Sequence, residues 1–165
     1  MLYECNVNVN AGEIIPQKLR LRRSSKLMYF DPYTLVIAPT VAGIASGSLY
    51  MDDEITLAHE YGSFVHRTFE FASGKLRCRA AQSVVVNKQQ QPQTTNNKFD
   101  PANTVERIVL ADQFSAPRRV KVVAGSGAET SLYELNFTFD AANRVLTLKK
   151  PDVKLNEDWE ITLEY

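Results

Sequence analysis

The side chains able to do chemistry are few and fall in short clusters. Asp52-Asp53-Glu54 is the longest acidic run, and paired carboxylates are what glycoside hydrolysis uses, one as acid and the other as base or nucleophile. Adjacency works against that role, because neighbours on an extended chain point to opposite faces and do not flank one bond. The same residues suit a turn in which carboxylates accept backbone N–H groups, so Asp52 and Asp53 are assigned a structural turn. His59-Glu60 opens an H-E-x-x-H zinc pattern, but Ser63 stands where the second His belongs and His66 falls off the helical face. Gly125-Ser126-Gly127 opens a dinucleotide fingerprint, but Thr130 replaces its third Gly and no helical pattern follows, so a hairpin turn is expected. No G-x-S-x-G elbow accompanies the two histidines. The expectation is therefore no catalytic residue, no metal ligand and no cofactor site.

Lys18-Leu19-Arg20-Leu21-Arg22-Arg23 is the basic counterpart. Its interleaved residues are aliphatic, so the stacking platform that single-stranded nucleic acid uses is missing. A half-buried strand with a solvated basic face is expected, and no nucleic-acid partner. Nineteen basic against nineteen acidic side chains give no overall field for polyanions or anionic membrane. No apolar run reaches the roughly 20 residues of a spanning helix, so no membrane partner is expected either. The first twenty residues carry Glu4 and Glu13 and no secretory apolar run, so a signal peptide is not expected within them. Cys5 and Cys78 lack zinc spacing; a disulfide between them and two independent thiols both remain open.

The elements that position these residues read as all-β. With 165 residues the length favours one domain, and period-two alternation dominates it. Tyr3, Cys5, Val7 and Val9 share one face of a first strand; Tyr33 to Ala38 is more continuously apolar, as in a central strand. Further strands are expected at 48–51, 63–71, 75–81, 104–111, 118–124, 131–139, 144–149 and 158–165, with turns at Ser73-Gly74, 125–127, 140–143 and Pro151-Asp152. Trp159, Ile161 and Leu163 share one face of the last strand, and Tyr133, Leu135, Phe137 and Phe139 one face of an earlier one. These supply the expected core. Residues 87–98 contain no apolar side chain and are expected to form a polar surface loop. Many short strands joined this way imply an antiparallel two-sheet β-sandwich.

Several motifs then occur in a specific order: Ile14-Ile15-Pro16, Arg20-Leu21-Arg22-Arg23-Ser24-Ser25, Met28, Asp31-Pro32-Tyr33-Thr34-Leu35 and Gly47-Ser48-Leu49-Tyr50-Met51-Asp52-Asp53. Phe64, Arg67, Phe69, Phe71, Val105-Glu106-Arg107-Ile108-Val109, Leu148-Lys149-Lys150-Pro151 and Asp158-Trp159-Glu160-Ile161 continue them. Together they resemble the C-terminal region of the family-31 glycoside hydrolases, in their glucosidase II α-subunit branch. Two departures concern turns: Asn10-Ala11-Gly12-Glu13 where the family has Arg-Gly-Gly before Ile-Pro, and Glu54 where it has Gly.

The resemblance implies a parent α-glucosidase whose (β/α)8 barrel carries two catalytic aspartates, followed by proximal and distal C-terminal β domains. It implies trimming of glucose from N-linked glycans in the endoplasmic reticulum lumen, by a retaining mechanism. The family's Trp-x-Asp-Met-Asn-Glu nucleophile motif has no counterpart here, since the single tryptophan, Trp159, precedes Glu160. Residues 1–30 are then expected to close the proximal domain and lead on, and residues 31–165 to form the distal β-sandwich. The implied role is structural support or docking to the barrel and proximal domain of the same polypeptide, with the regulatory β subunit as a further implied partner. The rival is a carbohydrate-binding module displaying aromatics such as Tyr50, Tyr61 and Tyr133. Alternation places Tyr133 toward the core, so no aromatic platform is evident and glycan binding is not expected.

Overall fold

A computed structural model describes residues 9–81, 85–86, 92–93, 99–125 and 131–165. The expected strand of Tyr3, Cys5 and Val7, most of the 87–98 loop and the 126–130 turn lie outside the described residues. Among the described residues thirteen strands occur in chain order: β1 (Glu13–Gln17), β2 (Tyr33–Ala38), β3 (Ala45–Met51), β4 (Val65–Ala72), β5 (Lys75–Ala80), β6 (Val85–Val86), β7 (Pro92–Gln93), β8 (Thr104–Leu110), β9 (Arg119–Ala124), β10 (Ser131–Glu134), β11 (Phe137–Asp140), β12 (Val145–Lys154) and β13 (Trp159–Glu164). The only helical turns among the described residues are short 3-10 pieces, Ser25–Met28 and Ala58–Tyr61. The chain is all-β.

Eleven strands form one hydrogen-bonded sheet in the order β10-β9-β13-β5-β4-β3-β1-β2-β8-β12-β11, and β6 pairs with β7 apart from it. The sheet curls into a half-barrel, so the expected two separate sheets become one continuous sheet folded over its own core. It is mixed rather than purely antiparallel: β1–β3 and β2–β8 are parallel. β1 lies in the middle of the sheet, antiparallel to β2 on one side and parallel to β3 on the other. Gly47 permits the close approach of β1. A Cβ there would overlap the Ile14 backbone carbonyl, and strand glycines mark such contacts.

The single strand expected at 131–139 is two. β10 lies on one edge of the sheet and β11 on the other, with Leu135 and Asn136 alone between them. Leu135 N–H still donates to Val120 O at 2.9 Å, and Asn136 O accepts from Lys149 N–H at 3.0 Å. A bent strand thus hands over from β9 to β12 and brings the two edges together. Its alternation survives the bend because the inward face stays inward, with Leu135 buried and Tyr133, Phe137 and Phe139 packed at the margin of the core. The Tyr133 hydroxyl donates to Pro151 O at 2.5 Å, tying β10 to β12.

Trp159, Ile161 and Leu163 are buried between flanking β5 and β9. On the outer face Glu160 accepts from Arg77 at 2.6 Å and Lys75 at 3.4 Å, and Glu164 from Lys121 at 2.5 Å. In β12 the register shifts between Lys149 and Val153, with Lys150 and Asp152 at positive φ. This bulge keeps both Leu148 and Val153 inward.

Candidate functional site

The loops at one end of the sheet carry most of the residues singled out in the sequence. β1 and β3 finish there and β2, β4 and β8 begin, which gathers residues 18–32, 52–64 and 99–103. Asp52 and Asp53 lead out of β3. Asp52 Oδ1 accepts from Glu54 N–H at 2.9 Å, and Asp53 Oδ1 accepts from Ile55 and Thr56 N–H at 3.2 and 3.0 Å. The Thr56 hydroxyl donates to Asp53 Oδ2 at 2.5 Å. These hydrogen bonds to Thr56 and Ile55 hold the Asp53 carboxyl below its ordinary range. Glu54 takes φ 56°, the left-handed conformation in which the family's Gly would be unstrained. His59 Nδ1 lies 3.9 Å from Asp52 Oδ2, and among the described residues no group of three or more His, Cys, Asp or Glu could hold a metal ion.

The Lys18-to-Arg23 segment is not a strand, and its leucines are exposed rather than half-buried as expected. The cations at 18, 20 and 22 nonetheless have partners. Lys18 Nζ donates to Tyr29 O at 3.1 Å, Arg20 pairs with Glu106 at 2.7 Å, and Arg22 grips Asp31 with two bonds of 2.7 and 3.0 Å. The Arg22 bond depresses the pKa of Asp31, a carboxylate otherwise withdrawn from solvent. Leu19 and Leu21 instead point outward, Leu21 at 89% exposure. Leu27 and Phe30 on the same strap, and Ile55, Leu57 and Tyr61 on the Asp52 loop, are exposed as well. Tyr29 O–H to Asp52 O, at 3.4 Å, joins strap to loop.

Between them lies a cavity of about 180 Å3 lined by Lys18, Tyr29, Tyr33, Tyr50, Met51, Asp52, Glu54, Phe99 and Asn103. Of the expected aromatic candidates, Tyr50 reaches this cavity while stacking on Phe64 at 5.3 Å; Tyr61 is exposed, and Tyr133 is half-buried on the opposite side of the sheet order. Sequence reasoning did not bring together Lys18 and Tyr29 of the 18–32 loop, Tyr33 at the start of β2 and Asn103 of the 99–103 loop. The only signal available was the density of tyrosines around Asp31-Pro32. A larger groove of about 620 Å3 lies at the other end, among Val41, Phe71, Gly74, Phe114 and Tyr165.

A second polar cluster is buried in the sheet itself. Arg67 on β4 donates to Cys78 Sγ at 3.4 Å, to Glu157 O at 2.6 Å and to Asp158 Oδ1 at 2.5 Å. Burial raises the Cys78 thiol to about 11, with Arg67 opposing. A thiol so protonated is a poor nucleophile. Cys78 is a free thiol; Cys5 lies outside the described residues. No helix among the described residues is long and apolar enough to cross a membrane.

No family model matches the chain. Individual proteins do. A probable glucan 1,3-α-glucosidase of Oryza sativa subsp. japonica is 34% identical over 154 residues, covering 93% of this chain and 16% of the relative. Neutral α-glucosidase AB of Sus scrofa is 33% identical, covering 92% and 14%. The crystal structure of a glucosidase II α subunit in its Glc1Man2-bound form superposes with TM-score 0.73 and 25% identity, over 93% of this chain and 17% of that one. A family-31 dextranase of Flavobacterium johnsoniae shares the fold at TM-score 0.58 and 17% identity. The chain therefore spans about one sixth of the length of the proteins it matches, and the match lies in their C-terminal region. By sequence and by fold, this chain is a relative of the C-terminal region of the glucosidase II group of family-31 α-glucosidases.

Proposed function

We propose that the chain is a non-catalytic C-terminal β domain of a longer α-glucosidase polypeptide, supporting or docking to its catalytic barrel. The observation that carries this reading is the use of the Asp52 and Asp53 carboxylates. Both accept hydrogen bonds from their own loop, so the pair that most resembles an acid and a nucleophile maintains a turn instead. The outward apolar residues Leu19, Leu21, Leu27 and Phe30 support docking, since the cations beside them are already tethered. The parent activity in this reading is removal of glucose from N-linked glycans in the endoplasmic reticulum lumen. Its partners are the barrel, the proximal domain and a regulatory subunit, as in the heterodimeric glucosidase II complex to which the chain is similar in fold. Residues 1–30 would belong to the end of the proximal domain, with β1 handed across into the sheet that residues 31–165 complete.

The test is hydrolysis of an aryl α-glucoside by the purified 165-residue chain. No turnover above buffer is expected. Turnover that disappears in Asp52→Asn/Asp53→Asn, with the variant still folded by circular dichroism, would overturn the reading, because removing an acid or base costs roughly 100 to 10,000-fold in rate.

A further inference from the structure

Asn136-Phe137-Thr138 is the single Asn-x-Ser/Thr sequence in the chain. The side-chain amide of such a sequence accepts an N-linked glycan where the middle residue is not Pro. A finished fold carries that bulky, hydrophilic group only on an outward side chain. The bend between β10 and β11 meets the condition. Leu135 and Phe137 pack toward the core, whereas Asn136 and Thr138 alternate with them and are exposed. Asn136 O accepts from Lys149 N–H at 3.0 Å, which holds the backbone in that orientation. The asparagines themselves differ in what their amides do. Asn10 Nδ2 donates to Glu13, Asn103 Nδ2 to Tyr29 O and Asp31 O, Asn143 Nδ2 to Asp140, and Asn156 Nδ2 to Asp100. Asn136 is the one described asparagine whose amide has no such engagement among the described residues, and the Thr138 hydroxyl has none either. The free amide and the acceptor sequence thus coincide at one exposed position.

We propose that Asn136 is a modification site, the acceptor of an N-linked glycan. The donor is an oligosaccharide carried on a lipid pyrophosphate, brought by the transferase of the secretory pathway. Asn136 Nδ2 forms a bond to C1 of the first sugar, and the bond from C1 to the pyrophosphate oxygen breaks. The electron pair leaves with the lipid pyrophosphate, and one Nδ2 proton passes to solvent. Thr138 supplies the hydroxyl that makes the sequence an acceptor. Glu134, Lys149 and Lys150 are the exposed residues beside the site, so an attached glycan displaces no packed side chain. This inference rests on the lumenal location proposed above, where the transferase acts. It also adds a constraint: with a glycan at Asn136, the outer face beside β11 and β12 stays open in the assembled parent, and the docking surface is a different one.

The experiment produces the whole 165-residue chain in cultured mammalian cells behind a secretory leader and a short tag that carries its own acceptor sequence. Peptide-N-glycosidase F in heavy-oxygen water converts a glycosylated Asn to labelled Asp, read by mass in the tryptic peptide 122–144, which contains Asn136. The label is expected at Asn136. Asn136→Gln and Thr138→Val should abolish it, and Thr138→Ser should retain it; Val keeps the branched shape of Thr in β11 and removes only the hydroxyl. Transfer is read on the denatured chain, so a variant that folds poorly still reports. Because the side chain points outward, the glycosylated chain should unfold at the same urea concentration as Asn136→Gln. The proposal falls if the tag is modified and Asn136 is not, if Thr138→Val keeps the label, or if the glycosylated chain is the less stable of the two. The leader supplies entry to the pathway, so these outcomes stand apart from the location reading. That reading falls instead if the full-length parent, fractionated from its own cells, lies outside the endoplasmic reticulum.

Discussion

Replacing Trp159 by Ala tests the register of the whole sheet. The indole is 1% exposed, its ring centroid lies 6.1 Å from that of Phe69, and its Nε1–H donates to Lys154 O at 3.1 Å. β13 is hydrogen-bonded on both sides, so the backbone cannot collapse easily into the space left. Truncating such a buried aromatic costs about 3–5 kcal/mol, and the Lys154 carbonyl loses a donor worth about 1 kcal/mol. With a urea m-value of about 2 kcal/mol/M, the midpoint should fall by about 2–3 M. Because Trp159 is the single tryptophan, the transition is followed by far-UV circular dichroism rather than fluorescence. If the variant is already unfolded in water, Trp159→Phe provides the measurable version: it keeps an aromatic beside Phe69, loses the N–H, and should cost about 1–2 kcal/mol. A midpoint within about 0.5 M of the parent for Trp159→Ala would refute the placement of this strand at the centre of the core.

Gly47→Ala should be far more damaging than its chemistry implies, because the added Cβ overlaps the Ile14 carbonyl of a strand held on both edges. An overpacking cost of about 1–3 kcal/mol corresponds to a fall in Tm of about 2–12 °C for a chain of this size; a melting curve identical to the parent would show that β1 is not pinned. Stability should also decline at both pH extremes. Asp31, Asp53 and Glu160 have depressed folded-state pKa values, held by Arg22, by Thr56 and the backbone, and by Arg77. Their contribution is present above the ordinary carboxylate range and is lost as pH falls through and below it. Cys78 and Tyr33 are raised by burial to about 11 and about 12. Their contribution is complete below pH 9 and is lost as pH rises through those values. Cys78→Ser, which keeps an acceptor for Arg67 but does not titrate, should therefore flatten the alkaline limb of stability against pH measured by urea unfolding; an unchanged limb would refute the thiol's part in it.

Strand faces were legible wherever one face meets the core. Trp159, Ile161 and Leu163 alternate with charged and polar residues that find partners outside, so local pattern and tertiary position agree. The same pattern did not reveal that 131–139 changes edges, because an inward residue looks alike whether it packs beside β9 or β12. Nor did it reveal the parallel pairings of β1 with β3 and β2 with β8, which are facts about long-range order rather than about local pattern. Gly47 carried the trace of the close approach of β1, but a strand glycine has several causes. The turn at Asp52-Asp53 was readable because its hydrogen bonds span two or three residues. The cavity was not, because Lys18, Tyr33 and Asn103 are brought together by folding alone.

The strap at residues 18–23 shows where periodicity misleads. Lys18, Arg20 and Arg22 alternate with Leu19 and Leu21 as a half-buried strand would, and a free choice of face would bury the leucines. Three directed contacts decide otherwise. Asp31 is almost wholly buried and needs a cation, and Arg22 supplies two hydrogen bonds to it that a rotated strap would break. Losing Arg22 would leave the Asp31 carboxylate without its two charge-assisted hydrogen bonds. Two exposed leucines forfeit about 1.5–3 kcal/mol each at most, when fully exposed rather than buried, and recover it if another surface covers them. The same geometry satisfies Asp31 within the domain and leaves Leu19, Leu21, Leu27 and Phe30 exposed, the surface on which the docking proposed above rests.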